Sequence, residues 1–198
     1  MTILQLHTPD IADWAEVALA SKKEYAGRWD VQVCVRVVDS DYVASTKAKH
    51  PAWVKIEYLL DKMHTTPDGH IFWMTDADLC ITNMGYPPPT MPENSVLHMW
   101  YDGKTLNSGS MLVRNSKETR DFFEKIWSDR RKTYGCWEQC AIVSRRNELA
   151  GLTLDSSTKW QPNVYAHKWR VGDFTCHLTA CSNIPRYLMS QFMAKAKR

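Results

Sequence analysis

Two aspartates, Asp76 and Asp78, stand one residue apart directly after the apolar run Ile71-Phe72-Trp73-Met74 and Thr75. Carboxylates at i and i+2 at the end of a buried strand concentrate negative charge where burial costs free energy, unless a cation or hydrogen-bond donors offset it. A divalent ion does this well, because Mg²⁺ and Mn²⁺ take oxygen ligands and share them between carboxylates and phosphates. In open α/β sheets, ligands collect outside the carboxyl ends of strands, which is where this pair falls. A turn or helix-capping role for both aspartates is the alternative.

Other segments carry side chains of a suitable kind. His177, after Asp173-Phe174-Thr175-Cys176, offers an imidazole that could complete a metal site, although a lone histidine also serves as a surface or hydrogen-bonded residue. Asn107-Ser108-Gly109-Ser110 opens a strand with small residues that let a ligand approach the backbone, or it is a plain turn. Trp137-Glu138-Gln139 starts a helix, where N–H groups and a carboxamide could face a substrate; an acid is also favoured at any helix start.

Around these residues the chain alternates strand and helix patterns. Ile3 to His7 predicts a first strand, Thr8-Pro9-Asp10 supplies capping chemistry, and Ile11 to Ala26 predicts a helix. Ile11, Trp14, Ala18 and Tyr25 share its face, and Gly27 is its expected stop. Valines at 31, 33, 35 and 37 have the period of a strand over 31 to 38, and the β-α-β opening predicts a parallel sheet with helices packed on it. Pro51 starts a helix to about His64, with Val54, Tyr58 and Leu59 along one side. Ile71 to Met74 predicts a central strand buried on both faces, and Tyr86-Pro87-Pro88-Pro89 a loop. Strands follow at Val96 to Tyr101 and Met111 to Val113. Asn115 or Ser116 caps a helix through about Arg131, with Phe122, Phe123, Ile126 and Trp127 inward. Trp137 to Glu148 is expected to be helical, Leu152 to Leu154 and Phe174 to Leu178 extended, and Pro185 to Lys197 a last helix.

The 198 residues suffice for one core, and 44% hydrophobic with 24% charged residues is ordinary for a globular chain. Nine Trp are expected mostly in the core, with some lining a sugar or base site. Net charge is +3, with Lys195, Lys197 and Arg198 in the tail, and no basic stripe marks a nucleic-acid partner; small anionic ligands fit better. No leader pattern follows Met1 and no apolar run nears the roughly 20 residues of a membrane span, so a cytoplasmic location and six reduced cysteines are expected. Cys136 with Cys140 and Cys176 with Cys181 match no common zinc spacing.

Taken in order, several segments resemble the GT-A nucleotide-sugar glycosyltransferases, most nearly the galactosyl/xylosyltransferase-type family 34. They are His50-Pro51-Ala52-Trp53-Val54-Lys55, Ile71 to Asn83, Asn107-Ser108-Gly109, Glu138-Gln139, and Gly172-Asp173-Phe174 with His177 and Cys181. A looser resemblance is to small glycosyltransferases encoded by chlorella viruses, which would imply a host cytoplasm. The family resemblance implies an α/β fold: a single GT-A, Rossmann-like domain over 1–198 with a central, mostly parallel mixed sheet flanked by helices. A nucleotide-binding part would cover about 1–83 and an acceptor and active-site part about 84–198.

The resemblance further implies Mn²⁺ or Mg²⁺ held by Asp76, Asp78 and His177, with Asp76 shared between metal and donor. It implies a UDP-sugar donor, such as UDP-glucose or a similar hexose donor, and a glycan or glycoprotein acceptor. The nucleotide would lie near His7, Thr8 and Pro9, with Lys55 close to the donor. Asn107, Ser108 and Gly109 would border the sugar, and Glu138 with Gln139 would face the reacting carbon. Inversion needs a base, for which Glu138, Asp155 and Asp102 are candidates; retention would use Gln139 or a backbone carbonyl. The family is retaining, but this chain is short and has Glu138 where Asp is common, which leaves the stereochemistry open. Two other readings compete: a non-catalytic nucleotide-sugar-binding domain, and a phosphatase of the haloacid dehalogenase type, whose D-x-D normally sits near the chain start.

Overall fold

Among the described residues, eight strands and five α-helices alternate along the chain. The computed structural model describes residues 1–101, 106–155, 163–166 and 168–178, and for Asp155 only the backbone. The strands are β1 (Thr2–His7), β2 (Gln32–Val37), β3 (Ile71–Thr75), β4 (Leu79–Ile81), β5 (Leu97–Tyr101), β6 (Leu106–Arg114), β7 (Leu152–Asp155) and β8 (Thr175–His177). The helices are α1 (Ala12–Trp29), α2 (Ser40–Ser45), α3 (Val54–His64), α4 (Lys117–Ser128) and α5 (Trp137–Ser144). Six strands form one sheet in the order β2-β1-β3-β6-β5-β7. The pairs β1–β2, β1–β3 and β5–β7 are parallel, whereas β6 runs antiparallel to both β3 and β5. A separate antiparallel ribbon joins β4 to β8.

Strand alternation explains why both faces of the sheet are covered. Leu4, Phe72, Met74, Met111 and Val113 point into one cluster with Ile56, Leu59, Phe123 and Ile142 of α3, α4 and α5. Their neighbours Ile3, Trp73 and Leu112 point the other way, into a cluster with Tyr25 of α1, Ile81 of β4 and Phe174. Phe72 is 1% exposed and Trp73 0%, so β3 is the doubly buried central strand its apolar run predicts. Burying each such side chain stabilises the fold by roughly 1.5–3 kcal/mol. The mixed α/β sheet is therefore as expected.

Several boundaries differ for local reasons. Helix α1 passes through Gly27 and stops at Asp30, which is left-handed with φ 51°. A helical glycine costs only about 1 kcal/mol, and beyond it Trp29 is anchored by its indole N–H to Met84 O (3.1 Å). The valines of β2 lie on an edge strand, leaving Val35 and Val37 exposed. The small residues 107–110 lie inside β6 rather than in a turn. Short α2, capped by the Asp39 carboxylate, and β4 have no counterpart among the expected elements. The last two described helices are shorter than expected and each is followed by a 3-10 turn, Asp129–Arg131 and Arg146–Glu148. The expected helix from Pro185 to Lys197 lies outside the described residues.

Ser116 is the cap of α4, in a reciprocal capping box with Thr119. Asn115 acts elsewhere. Its buried amide N–H₂ group lies 2.7–3.2 Å from the carbonyls of Met63, Thr66 and Pro67, tying the end of α3 to β6. Asn115→Ala should leave those carbonyls short of a donor and cost about 1–3 kcal/mol in urea unfolding, with the far-UV spectrum unchanged.

Candidate functional site

Asp76 and Asp78 follow β3, the strand on which both helical layers converge. The backbone N–H of Asp76 donates to Gly109 O (2.8 Å) and its carbonyl accepts from Lys22 Nζ (2.9 Å), so the first aspartate is held from behind by β6 and α1. Asp78 leads into β4. Across the ribbon, Leu79 is in register with His177, and Leu178 N donates to Asp78 O (3.2 Å). The ribbon thus brings a residue from far downstream against the carboxylate pair. His177 Nε2 lies 3.2 Å from Asp78 Oδ1 and 3.6 Å from Asp76 Oδ2. Asp76, Asp78 and His177 each offer one ligand atom, all within 4.8 Å of one another.

His177 is 1% exposed, and its Nε2 has no hydrogen-bond partner among the described residues. A buried nitrogen without a hydrogen-bond partner, 3.2 and 3.6 Å from two carboxylate oxygens, fits a divalent cation among the three groups, by both charge and donor type. Gly109 leaves the space: a Cβ there would collide with His177 Cε1 and lie 2.7 Å from Asn107 Oδ1 and 2.9 Å from Asp76 Oδ2.

A cleft of about 490 Å³ opens in front of the two aspartates, between the ends of β1 and β3 and the start of α5, with His177 and Gly109 behind its lining. His7, Thr8, Lys55, Asn107, Ser108, Glu138 and Gln139 all line it, together with Asp76 and Asp78. Pro9 lines instead an adjoining cavity of about 610 Å³, shared with Thr8, Asp39 and Pro51. Gln139 Oε1 accepts from Ser108 N (3.1 Å), which fixes its carboxamide on the wall. Asp155 is placed by its backbone on β7, an edge strand, in register with Trp100. Asp102 and Cys181 lie outside the described residues, as do Lys195, Lys197 and Arg198.

Lys55 is the electrostatic centre of the cleft wall. Its buried Nζ donates to Asp76 Oδ1 (2.8 Å) and lies 2.6 Å from Glu138 Oε1. Burial alone would push its pKa down, but Asp76 and Glu138 outweigh that and hold the ammonium above its usual range. Burial raises Asp76, yet Lys55, His177 and Lys22 together bring it below the usual carboxylate value. Glu138 goes the other way: burial and then the Asp76 charge raise it, against Lys55 and Ser108 Oγ (2.8 Å). Its Oε2, like His177 Nε2, is a buried polar atom with no hydrogen-bond partner among the described residues.

Sequence reasoning missed several contributors. Lys22, fully buried, donates to Gln5 Oε1 (2.6 Å) as well as to Asp76 O; its signal is a lysine on the Ala15-Ala18-Tyr25 face of α1. Asn163 and Tyr165 reach Asn107 and His177 with no local signal. At the cleft mouth Trp137, 45% exposed and with φ 47°, stacks on His50 at 3.9 Å. Trp14 also lines the cleft, while Trp53, Trp73 and Trp100 are core. The expectation of six reduced cysteines is overturned: Cys136 and Cys140 form a disulfide. Cys136 precedes α5 in non-helical geometry, which brings the two Cα atoms to 5.2 Å, within bridging range. Among the described residues no helix is long and apolar enough to cross a membrane.

A mixed sheet with a D-x-D at the end of its third strand, faced by a histidine from a C-terminal ribbon, has the GT-A glycosyltransferase fold, as the family resemblance implied. A crystal structure of a glycosyltransferase involved in glycosylation of the major capsid of PBCV-1 superposes with a TM-score of 0.71, at 15% identity, covering 98% of each chain. The galactosyltransferase LgtC, in complex with donor and acceptor sugar analogs, gives a TM-score of 0.59 at 10% identity, over 100% of this chain and 95% of LgtC. In sequence, the chain is 32% identical over 82 residues to a probable glycosyltransferase 4 of Oryza sativa subsp. indica. That match spans 36% of this chain but only 17% of the plant protein. No protein-family profile matches the chain.

The tight packing around the aspartates can be probed from two sides. Gly109→Ala should cost about 1–3 kcal/mol by overpacking, read as a lower denaturant midpoint. Lys22 should titrate near pH 8 rather than 10.5, because burial dominates over the opposing pull of Cys80, Asp78 and Asp76. The unfolded chain then holds that proton more tightly between pH 8 and 10.5, so this group adds stability as pH rises through that window. Carbon-13 NMR of the lysine Cε signals, assigned with Lys22→Met, reads the midpoint directly.

Proposed function

We propose that the cleft transfers a sugar, from UDP-glucose or a similar UDP-hexose, to a hydroxyl of a glycan or glycoprotein acceptor. The observation that carries this reading is the Asp76–Asp78–His177 cluster, with its unpartnered buried Nε2, whose two aspartates line a cleft in a GT-A fold. Asp76, Asp78 and His177 would hold Mn²⁺ or Mg²⁺. Bound there, the cation would neutralise charge growing on the departing diphosphate.

The chain's own residues supply the rest. Thr8, Pro9 and Asp39 border the adjoining cavity and are assigned the nucleoside. Lys55, fixed by Asp76 and Glu138, keeps a positive charge on the donor side of the cleft at any physiological pH. Asn107 and Ser108 flank the sugar position, and Gly109 gives the cluster its room. Glu138 Oε1 is engaged by Lys55 and Ser108, and the buried carboxylate would act on positive charge developing on the sugar through its field from the cleft wall. Gln139, with its carboxamide held by Ser108 N–H, borders the same face.

Incubation with Mn²⁺ and a panel of UDP-sugars, with and without glycan acceptors, should release UDP. Asp78→Ala and His177→Ala should each weaken metal-dependent donor binding by at least about tenfold, roughly 1.4 kcal/mol. Unchanged donor affinity in both variants overturns the assignment. Tight donor binding without turnover in the presence of acceptor points to a binding domain, and phosphate release without sugar transfer to a phosphatase.

A further inference from the structure

Taking the metal assignment as its basis, we propose that Asn163 is a positioning residue that sets the tautomer of His177, so that a bare Nε2 faces Asp76 and Asp78. One group nearby has a polarity beyond doubt, the backbone N–H of Gly109, which can only donate. It donates to Asn107 Oδ1 at 2.7 Å, and this fixes which end of the Asn107 amide is oxygen. The other end donates to the Tyr165 hydroxyl (2.9 Å). Asn163 approaches the same Asn107 oxygen with its amide nitrogen at 2.9 Å. Its own oxygen is thereby turned to His177 Nδ1, at 2.5 Å.

A carbonyl oxygen only accepts, so Nδ1 must carry the hydrogen. In the neutral imidazole Nε2 then presents its lone pair, and it presents it to two carboxylates, 3.2 and 3.6 Å away. Without the relay nothing holds the hydrogen on Nδ1, and a hydrogen on Nε2, 3.2 Å from Asp78 Oδ1, would occupy the lone pair a cation needs. Asn107, Asn163 and His177 are 5%, 3% and 1% exposed, so water is a poor substitute for any member. The relay thus holds the histidine in its ligand form before any cation arrives, and part of the cation's affinity is stored in Asn163. Nothing in the sequence around Asn163 marks it for this role; the residue meets His177 only because Val164 O accepts from His177 N and lays the two segments side by side.

The test uses metal-free, full-length protein with nitrogen-15-labelled histidine, at a pH above histidine titration, the His177 signals being assigned by their loss in His177→Ala. Wild type should show hydrogen on Nδ1 and none on Nε2; hydrogen on Nε2 overturns the proposal. Asn163→Leu should shift the hydrogen to Nε2, and Asn163→Asp, which keeps an accepting oxygen, should retain the wild-type tautomer. Either variant behaving oppositely overturns it, and the aspartate variant serves if the leucine variant does not fold. Mn²⁺ binding followed by electron paramagnetic resonance should weaken about 10–100-fold in Asn163→Leu. Equal Mn²⁺ affinity in wild type and Asp78→Ala would refute the metal assignment instead, while the tautomer readout still decides the relay.

Discussion

The constraint on which the structure depends is like charge crowded at the end of one buried strand. Asp76, Asp78 and Glu138 converge beyond β3, and in a low-dielectric setting such a group is unstable without compensation. Lys55 bridges Asp76 and Glu138, while Lys22 approaches Asp76 from the opposite side through its carbonyl. The two lysines differ in consequence. Lys55 touches carboxylates directly and is held charged, whereas Lys22 donates to neutral oxygens and is depressed by burial to about 8. The remaining negative charge faces the cleft, where a divalent cation among Asp76, Asp78 and His177 would offset it.

The second requirement is distance along the chain. The carboxylate pair and the imidazole of His177 meet only because β4 and β8 pair as a ribbon outside the main sheet. That ribbon rests on α1 and on the aromatic cluster of Tyr25, Trp73 and Phe174, so packing far from the cleft supports its geometry. β6 contributes differently. Its small residues let three polar side chains crowd around Gly109, and any larger residue there would push them apart.

Much of this is legible in the sequence. The apolar run at Ile71 to Met74 reads as a doubly covered strand, and the polar residues after it fall at its carboxyl end, where ligands gather. The collinear segments then point to the GT-A fold, which the superpositions display. Where the local reading fails, the cause is local too. Gly27 is a natural helix stop, but Trp29 is anchored beyond it by a contact with Met84. Cys136 and Cys140 read as free thiols, and the turn ahead of α5 places them within bridging distance.

What the sequence alone determined is therefore the type and order of the elements and the candidates on them, because hydrophobic period and turn chemistry act within a few residues. Asp76 and Asp78 can be named on that basis, and Lys55 and Glu138 by their place in the ordered segments. The tertiary structure decided which atom faces which: that Lys55 lies between two acids, that Lys22 backs Asp76, and that the Asn163 side chain meets His177 Nδ1. These contacts join residues on separate elements, and no local rule encodes the direction of an amide or an imidazole. Direction is set by the groups they meet, the Gly109 N–H for Asn107 and the Asn163 amide for His177, and those are placed only when the sheet and ribbon close.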